Sequence, residues 1–322
     1  MSGRCDGSGA RSAGAGALGG WAARPVVLAL GTVCCRALRA ERYLQPQEGS
    51  MAMAQPLPGP TPLHQSSGVA GAWVVLEAPG AHPLRCWWAR PAATPPRAAV
   101  LVLPEVFGVN GWVRSVAERL AGAGYGALAL PIFARTAPDF ETGYDEAGLQ
   151  LGREHREAVT AEGLLADVRR ALAWLQGLGG LEGRAVGCVG FCFGGHLALI
   201  AATLPQVAAT CDFYGARVSS VRPGGGPPTL ELLPEIRGDL LCVSGDQDPL
   251  MPAEERAAID AALAASQAGG SQRRHLVAAA AGHGFMCEAR GDFQPSAARL
   301  GWREMLALFD RALVGSAAGR AS

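Results

Sequence analysis

The segment Gly190-Phe191-Cys192-Phe193-Gly194-Gly195 combines a nucleophilic side chain with the glycines that a sharp turn requires. It lies between a predicted strand and a predicted helix, which is the form of a nucleophile elbow with cysteine in place of the more usual serine. The dipole of the helix that follows favours a thiolate at this position. The pattern therefore predicts Cys192 as a nucleophile, and an inert buried cysteine in a glycine-rich turn is the alternative.

A nucleophile of this kind needs a base, and the base follows it along the chain. His283 lies between two glycines in a loop after the predicted strand that ends at Ala278, so it can reach over the edge of a sheet. The alternative is an ordinary histidine of a surface loop. His196 is a second candidate base, but it stands four residues past Cys192 on the same predicted helix and points along that helix. We therefore predict His283 as the base and a structural role for His196.

Two aspartates that follow the predicted strand Leu240–Gly245 are candidates for the acid that orients the base. Asp246 is nearer the strand, where aspartates commonly brace a turn. Asp248 lies further out and is restrained by Pro249, so it is better placed to reach His283. The spacing favours Asp248.

Glu105 follows the apolar run Ala98–Leu103 and stands in apolar surroundings, where a charged group is rarely buried without a partner. One interpretation places it beside the thiol as a proton acceptor or gate. The other lets it turn to solvent or cap the helix predicted from Gly111. This loop normally supplies one oxyanion-hole amide, and the residue after the nucleophile supplies the other. The backbone N–H groups of Val106 and Phe193 are therefore the predicted oxyanion hole.

Short apolar runs alternate with longer amphipathic ones over residues 72–315. Strands are predicted at Ala72–Glu77, Leu84–Ala89, Ala98–Leu103, Tyr125–Leu130, Ala185–Gly190, Val207–Tyr214, Leu240–Gly245 and Arg274–Ala278. Helices are predicted at Gly111–Ala123, Ala158–Leu178, Phe193–Leu204, Ala253–Ala268 and Ser296–Leu313. This alternation predicts one α/β domain over residues 72–315, with a mostly parallel sheet, helices on both faces and a short tail at residues 316–322.

Residues 1–71 differ in composition from the predicted domain. An arginine-containing stretch surrounds the apolar run Pro25–Cys35, which is too short to span a bilayer. A start codon assigned too early, with Met51 or Met53 as the true beginning, is the favoured explanation, and an export or organelle leader is the alternative. Met51–Gly71 has too little periodic apolar content to fold alone. We therefore predict a disordered or wrongly assigned N-terminal extension.

The composition of the chain indicates which kinds of binding partner are unfavourable. The formal net charge is zero, so no overall field attracts nucleic acid or an acidic membrane surface. The nine cysteines lack CxxC spacing, which argues against a disulfide framework and a structural zinc site. A reducing cytoplasm suits a free catalytic thiol. The expectation is a cytoplasmic monomer that acts on a small molecule without a metal or an organic cofactor.

From about Ala72 to Leu313 the chain resembles the dienelactone hydrolases. The resemblance rests on four segments in the family's order, which are Leu103–Asn110, Gly190–Gly195, Gly245–Pro252 and Gly282–Phe285. It implies the α/β-hydrolase fold and a Cys-Asp-His triad formed by Cys192, Asp248 and His283. It also implies that the glutamate at position 105 accepts the thiol proton when substrate binds.

The resemblance assigns a substrate role to Arg135, which would otherwise be interpreted as a solvated surface arginine. In the family, an arginine just after the corresponding strand binds the substrate carboxylate. The family's second carboxylate-binding arginine lies four residues past the histidine, where this chain has Cys287, and Arg290 is nearby but out of register. A thiol cannot replace bidentate recognition by arginine, so dienelactone itself is less strongly implied than the reaction class.

Together these residues predict hydrolysis of a small ester or lactone through a thioester on Cys192. A general carboxylesterase or thioesterase on the same site is one alternative. A non-catalytic small-molecule-binding protein of the same fold is the other.

Overall fold

A computed structural model describes residues 68–267 and 270–315 of the chain. The predicted extension at residues 1–71 lies outside the described residues except for its last four positions. Three of those four belong to the first strand, which begins at Val69 rather than at the predicted Ala72. The predicted tail at residues 316–322 also lies outside.

An eight-stranded sheet forms the centre of the domain, in the order β1-β2-β4-β3-β5-β6-β7-β8. Strands β1 and β2 pair antiparallel, as do β2 and β4, and every other neighbouring pair is parallel. This topology confirms the predicted α/β-hydrolase fold. The strands are β1 (Val69–Leu76), β2 (Leu84–Pro91), β3 (Ala99–Leu103), β4 (Gly126–Ala129), β5 (Val186–Phe191), β6 (Val207–Phe213), β7 (Asp239–Gly245) and β8 (Arg273–Ala278).

Helices cover both faces of the sheet. They are α1 (Gly111–Gly122), α2 (Glu146–Glu157), α3 (Ala161–Gln176), α4 (Phe193–Ala201), α5 (Ala253–Ala265) and α6 (Pro295–Phe309), with a 3-10 helix at Thr229–Glu235 and a π-helical turn at Asp310–Gly315. Side chains of α1 and α6 share one core cluster, and those of α3 and α4 share another. Strands β3, β4 and β5 are buried along their whole length, which explains their continuous apolar sequences.

Helix α2 was missed by the sequence prediction, which placed one helix over Ala158–Leu178 where the structure has α3. The fully buried residues of α2 are Gly148 and Gly152, so the helix shows no broad apolar stripe. Asp145 caps it by accepting a hydrogen bond from the Gly148 amide. Across the described ranges, no helix is both long and apolar enough to cross a membrane.

Candidate active site

Cys192 occupies the sharp turn between β5 and α4. Its backbone has φ 53° and ψ −119°, and a non-glycine residue rarely adopts such a positive φ. A Cβ at Gly190 would clash with the Gly194 carbonyl, and a Cβ at Gly194 would clash with the Leu103 carbonyl. The turn therefore requires both glycines. It leaves Cys192 half-buried at the carboxyl ends of the parallel strands.

The predicted nucleophile Cys192, base His283 and acid Asp248 are connected by two consecutive hydrogen bonds. His283 Nε2 is 2.9 Å from Cys192 Sγ, and His283 Nδ1 is 2.8 Å from Asp248 Oδ2. Asp248 Oδ1 accepts a hydrogen bond from the Leu250 amide at 2.8 Å, so the loop itself orients the carboxylate. His283 and Asp248 are both buried. The structure thus brings together three side chains from three separate loops.

Electrostatics of this arrangement favour a protonated imidazole. Burial by itself lowers the pKa of His283, but the neighbouring Cys192 sulfur and the hydrogen bond to Asp248 outweigh burial and raise the pKa to about 10. The raised pKa favours the imidazolium form of His283, whose Nε2–H would donate to the Cys192 sulfur at 2.9 Å. A histidine in this state stabilises a thiolate, which is the nucleophilic form of cysteine.

The two rejected candidates have structural partners. Asp246 Oδ1 accepts a hydrogen bond from the Ala281 amide at 3.3 Å and so braces the loop that carries His283. His196 bonds to the Ala216 carbonyl at 3.0 Å and to Thr229 Oγ1 at 2.7 Å. Burial lowers the pKa of His196 to about 4, so this histidine is neutral near pH 7. Asp246 and His196 hold the surrounding chain in place.

Glu105 is fully buried and forms an ion pair with Arg290, with 2.9 Å between Oε1 and Nη1. Burial raises the pKa of Glu105, and the Arg290 guanidinium is the main influence in the opposite direction. Oε2 of Glu105 has no partner in hydrogen-bonding geometry within the described part of the chain. The carboxylate is therefore neither exposed nor a helix cap, and its bonded partner is an arginine rather than the thiol.

Arg290 is the charged residue of this site that the sequence reasoning set aside. The loop after His283 folds back, so that a Cβ on Gly284 would lie 2.6 Å from the Arg290 Cζ atom. Gly284 has φ 90° and no side chain, which leaves room for the guanidinium. The available signal was an arginine in a short loop close to the candidate histidine. The family's register, four residues past the histidine, falls on Cys287 instead.

Cys287, which stands where the family has its second arginine, is buried. Burial raises the pKa of its thiol to about 12, so the group is uncharged at neutral pH. The Tyr144 hydroxyl donates to Asn110 Oδ1 at 3.4 Å and also interacts with Cys287 and Glu105. Position 287 therefore contributes packing and a weak hydrogen bond, and the positive charge comes from Arg290.

The two predicted oxyanion-hole amides lie in neighbouring segments. Gly194 of α4 packs against the Leu103 and Pro104 carbonyls, which brings the start of α4 against the loop that contains Val106. Neither the Val106 nor the Phe193 N–H has an acceptor among residues 68–267 and 270–315. Both amides therefore remain available to a bound oxygen atom.

Arg135 is engaged away from the triad residues. Its guanidinium donates to Asp167 Oδ1 and to the Gly163 carbonyl of α3, both at 3.0 Å. Asp167 is also paired with His82 and Arg170. The structure does not bring Arg135 into contact with Cys192, so its substrate role stays a prediction. Of the residues described, no three His, Cys, Asp or Glu side chains are grouped so as to hold a metal ion.

Comparison with known proteins identifies the family of this chain. The model of the dienelactone hydrolase family matches residues 84–313. This chain is similar to a Synechocystis sp. protein named "Putative carboxymethylenebutenolidase", with 35% identity over 225 residues that cover 70% of this chain and 90% of that protein.

Solved structures give the same result. A crystal structure titled "Putative Dienelactone Hydrolase" from Klebsiella pneumoniae is 25% identical, with a TM-score of 0.66 over 75% of this chain and 98% of that chain. The dienelactone hydrolase of Anabaena variabilis is 18% identical, and its TM-score of 0.55 over 76% and 99% of the two chains shows a shared fold. The family match spans both the elbow and the His283 loop, and this chain belongs to the dienelactone hydrolase family of carboxylic ester hydrolases.

Proposed function

We propose that the protein hydrolyses a small ester or lactone, with Cys192 as nucleophile, His283 as the proton-transferring group and Asp248 as the group that orients it. One observation supports this above the others. Cys192 Sγ lies 2.9 Å from His283 Nε2, and His283 Nδ1 lies 2.8 Å from Asp248 Oδ2. Cys192 itself occupies a strand-to-helix turn with a positive φ. A structural cysteine needs none of these features.

In the first half-reaction the Cys192 thiolate attacks the carbonyl carbon, and the carbonyl oxygen becomes an oxyanion. The amides of Val106 and Phe193 donate to this oxygen, and each such donor contributes roughly 3 kcal/mol of transition-state stabilisation. The C–O bond then breaks as His283 returns its proton to the leaving oxygen. With a lactone, that oxygen remains attached to the acyl group, so a ring-opened thioester forms on Cys192.

In the second half-reaction water attacks the thioester. His283, now neutral, takes a proton from the water and is held in place by Asp248. The second tetrahedral intermediate uses the same two amides. Its collapse breaks the C–S bond, releases the acid and restores the thiolate beside the protonated imidazole.

Arg290 and Glu105 support a substrate that carries an anionic group. A substrate carboxylate would compete with Glu105 for the guanidinium, and Arg290 would then replace the family's second arginine from a different position. Glu105, once released, would be a buried carboxylate of raised pKa and therefore a ready proton acceptor. Transfer of the thiol proton to Glu105 stays a prediction, because the sulfur contacts His283 in the structure. Arg135 would bind the same substrate only after leaving Asp167.

The test is hydrolysis of p-nitrophenyl acetate and of lactones with and without a carboxylate. Cys192→Ala should abolish turnover and the trapped thioester detected by mass spectrometry. Cys86→Ala, which changes a buried thiol of β2, is the matched control and should still form the acyl-enzyme. Full esterase activity in Cys192→Ala would reject the proposal. A preference for lactones over p-nitrophenyl acetate would indicate a lactonase, and the reverse preference would indicate a general carboxylesterase.

A further inference from the structure

Tyr214 directly follows β6 and is held in an unusual conformation. It is fully buried, and its φ of 46° lies in the left-handed region. Its amide donates to the Val243 carbonyl at 2.8 Å. Its ring packs edge-to-face against His283 at 5.2 Å between centroids and against Phe285 at 5.1 Å. A strained residue held from several sides is typical of a functional site.

The Tyr214 hydroxyl has no hydrogen-bond partner anywhere in the described ranges. It lies within electrostatic reach of Glu105, Arg290 and Cys192. Among the same residues, Oε2 of the neighbouring Glu105 carboxylate also lacks a partner in hydrogen-bonding geometry, and the Tyr144 hydroxyl interacts with this carboxylate in addition to Arg290. Native proteins satisfy most buried polar groups because an unmade hydrogen bond costs stability. The unpartnered Tyr214 hydroxyl beside the nucleophile therefore indicates that a bound molecule completes its hydrogen bond.

We infer that the Tyr214 hydroxyl contacts the substrate and donates a hydrogen bond to the acidic group that Arg290 binds. This inference rests on the proposed function. A phenol O–H and a guanidinium are both donors, so together they select an acceptor of negative charge. The hydroxyl is the informative atom, since a phenylalanine ring would pack against His283 and Phe285 equally well.

The test is Tyr214→Phe, which removes one oxygen and keeps the ring. The substrates are p-nitrophenyl hemisuccinate and p-nitrophenyl butyrate, which share a leaving group and a four-carbon acyl chain but differ in the terminal carboxylate. The ratio of kcat/KM for hemisuccinate to that for butyrate should fall roughly tenfold or more, mainly through KM, as expected for a lost hydrogen bond to a charged group. The melting temperature should stay equal or rise, because an unsatisfied buried hydroxyl is removed.

Tyr125→Phe is the matched control. The Tyr125 hydroxyl donates to Asp310 at 2.6 Å, so its loss should lower the melting temperature and leave the substrate ratio unchanged. An unchanged ratio in Tyr214→Phe, or a lowered melting temperature, would overturn the inference. If that happens while Cys192→Ala remains inactive, the proposed function stands and only the role of Tyr214 fails. An active Cys192→Ala would reject the proposed function itself.

Discussion

Replacing Arg290 by methionine should destabilise the protein by an amount that grows with pH. The Arg290 guanidinium is 2.9 Å from the carboxylate of Glu105, which is fully buried. Methionine retains an unbranched apolar stem and removes the charge. Removing one partner of a buried ion pair typically costs about 3–5 kcal/mol, because the other charge is left uncompensated.

The pH dependence follows from the direction of the Glu105 pKa. Burial raises this pKa and Arg290 opposes the rise, so the variant should have a still higher value. A carboxyl whose folded-state pKa is raised loses stabilisation as the pH climbs from its unfolded value, about 4.3, through the folded value. As the pH rises from about 4.3, wild type and Arg290→Met both lose stability until the pH reaches the folded-state pKa of Glu105 in the wild type. Above it only the variant continues to lose stability, by at most about 1.4 kcal/mol per pH unit.

The assay is guanidinium chloride unfolding followed by tryptophan fluorescence, at intervals between about pH 4.5 and 8.5. The double variant Arg290→Met, Glu105→Gln lacks the unpaired carboxylate. The difference between its free energy of unfolding and that of wild type should therefore not grow as the pH rises. Asp292→Asn removes the exposed second partner of Arg290, at 3.4 Å, and should cost less than about 1 kcal/mol. A stability difference that is constant across the range, or that shrinks as pH rises, would refute the reasoning.

Three further predictions concern the triad and its loop. Asp248→Asn should lower kcat by roughly 10²–10⁴-fold, since His283 loses the hydrogen bond that orients it, and steady-state kinetics measures this. Gly284→Ala should cost about 1–3 kcal/mol in thermal unfolding through backbone strain, and should raise KM for an acidic ester by displacing Arg290. Iodoacetamide should alkylate Cys192 in preference to the other cysteines at neutral pH, and His283→Ala, which removes the imidazole 2.9 Å from the sulfur, should slow that alkylation at the same pH.

Each of these has a control within the chain. Asp246→Asn should leave kcat within a few-fold of wild type, and an equal loss in both variants would contradict the assignment of Asp248. A Cβ on Gly291 meets nothing within 4 Å, so Gly291→Ala should change neither the thermal stability nor KM for the acidic ester. Peptide mass spectrometry should find little native-state alkylation at the buried cysteines of the described ranges, which are Cys86, Cys188, Cys211, Cys242 and Cys287. Labelling of these at the rate of Cys192 would argue against an activated thiol.

Much of this protein is determined by local sequence. Gly190 and Gly194 are required because neighbouring carbonyls leave no space for a Cβ, so the elbow is visible in a short segment. The continuous apolar sequence of β3 predicts a buried parallel strand for the same reason that the structure shows one. Once the sheet is parallel, loops that follow its strands meet at one edge, and the chain order of Cys192, Asp248 and His283 then suffices to propose a triad.

Other features were decided by tertiary structure. Glu105 and Arg290 are 185 residues apart, and their contact depends on how the loop after His283 folds back over Gly284. The position of Arg135 was set by Asp167, a partner that no motif indicates. These contacts belong to loops. The path of a loop depends on its packing against segments that are distant in the sequence, and residue spacing alone does not predict that packing. Periodicity and motif order therefore determined the fold and indicated the candidate reacting groups, while packing between loops decided which charges and unpartnered atoms face them.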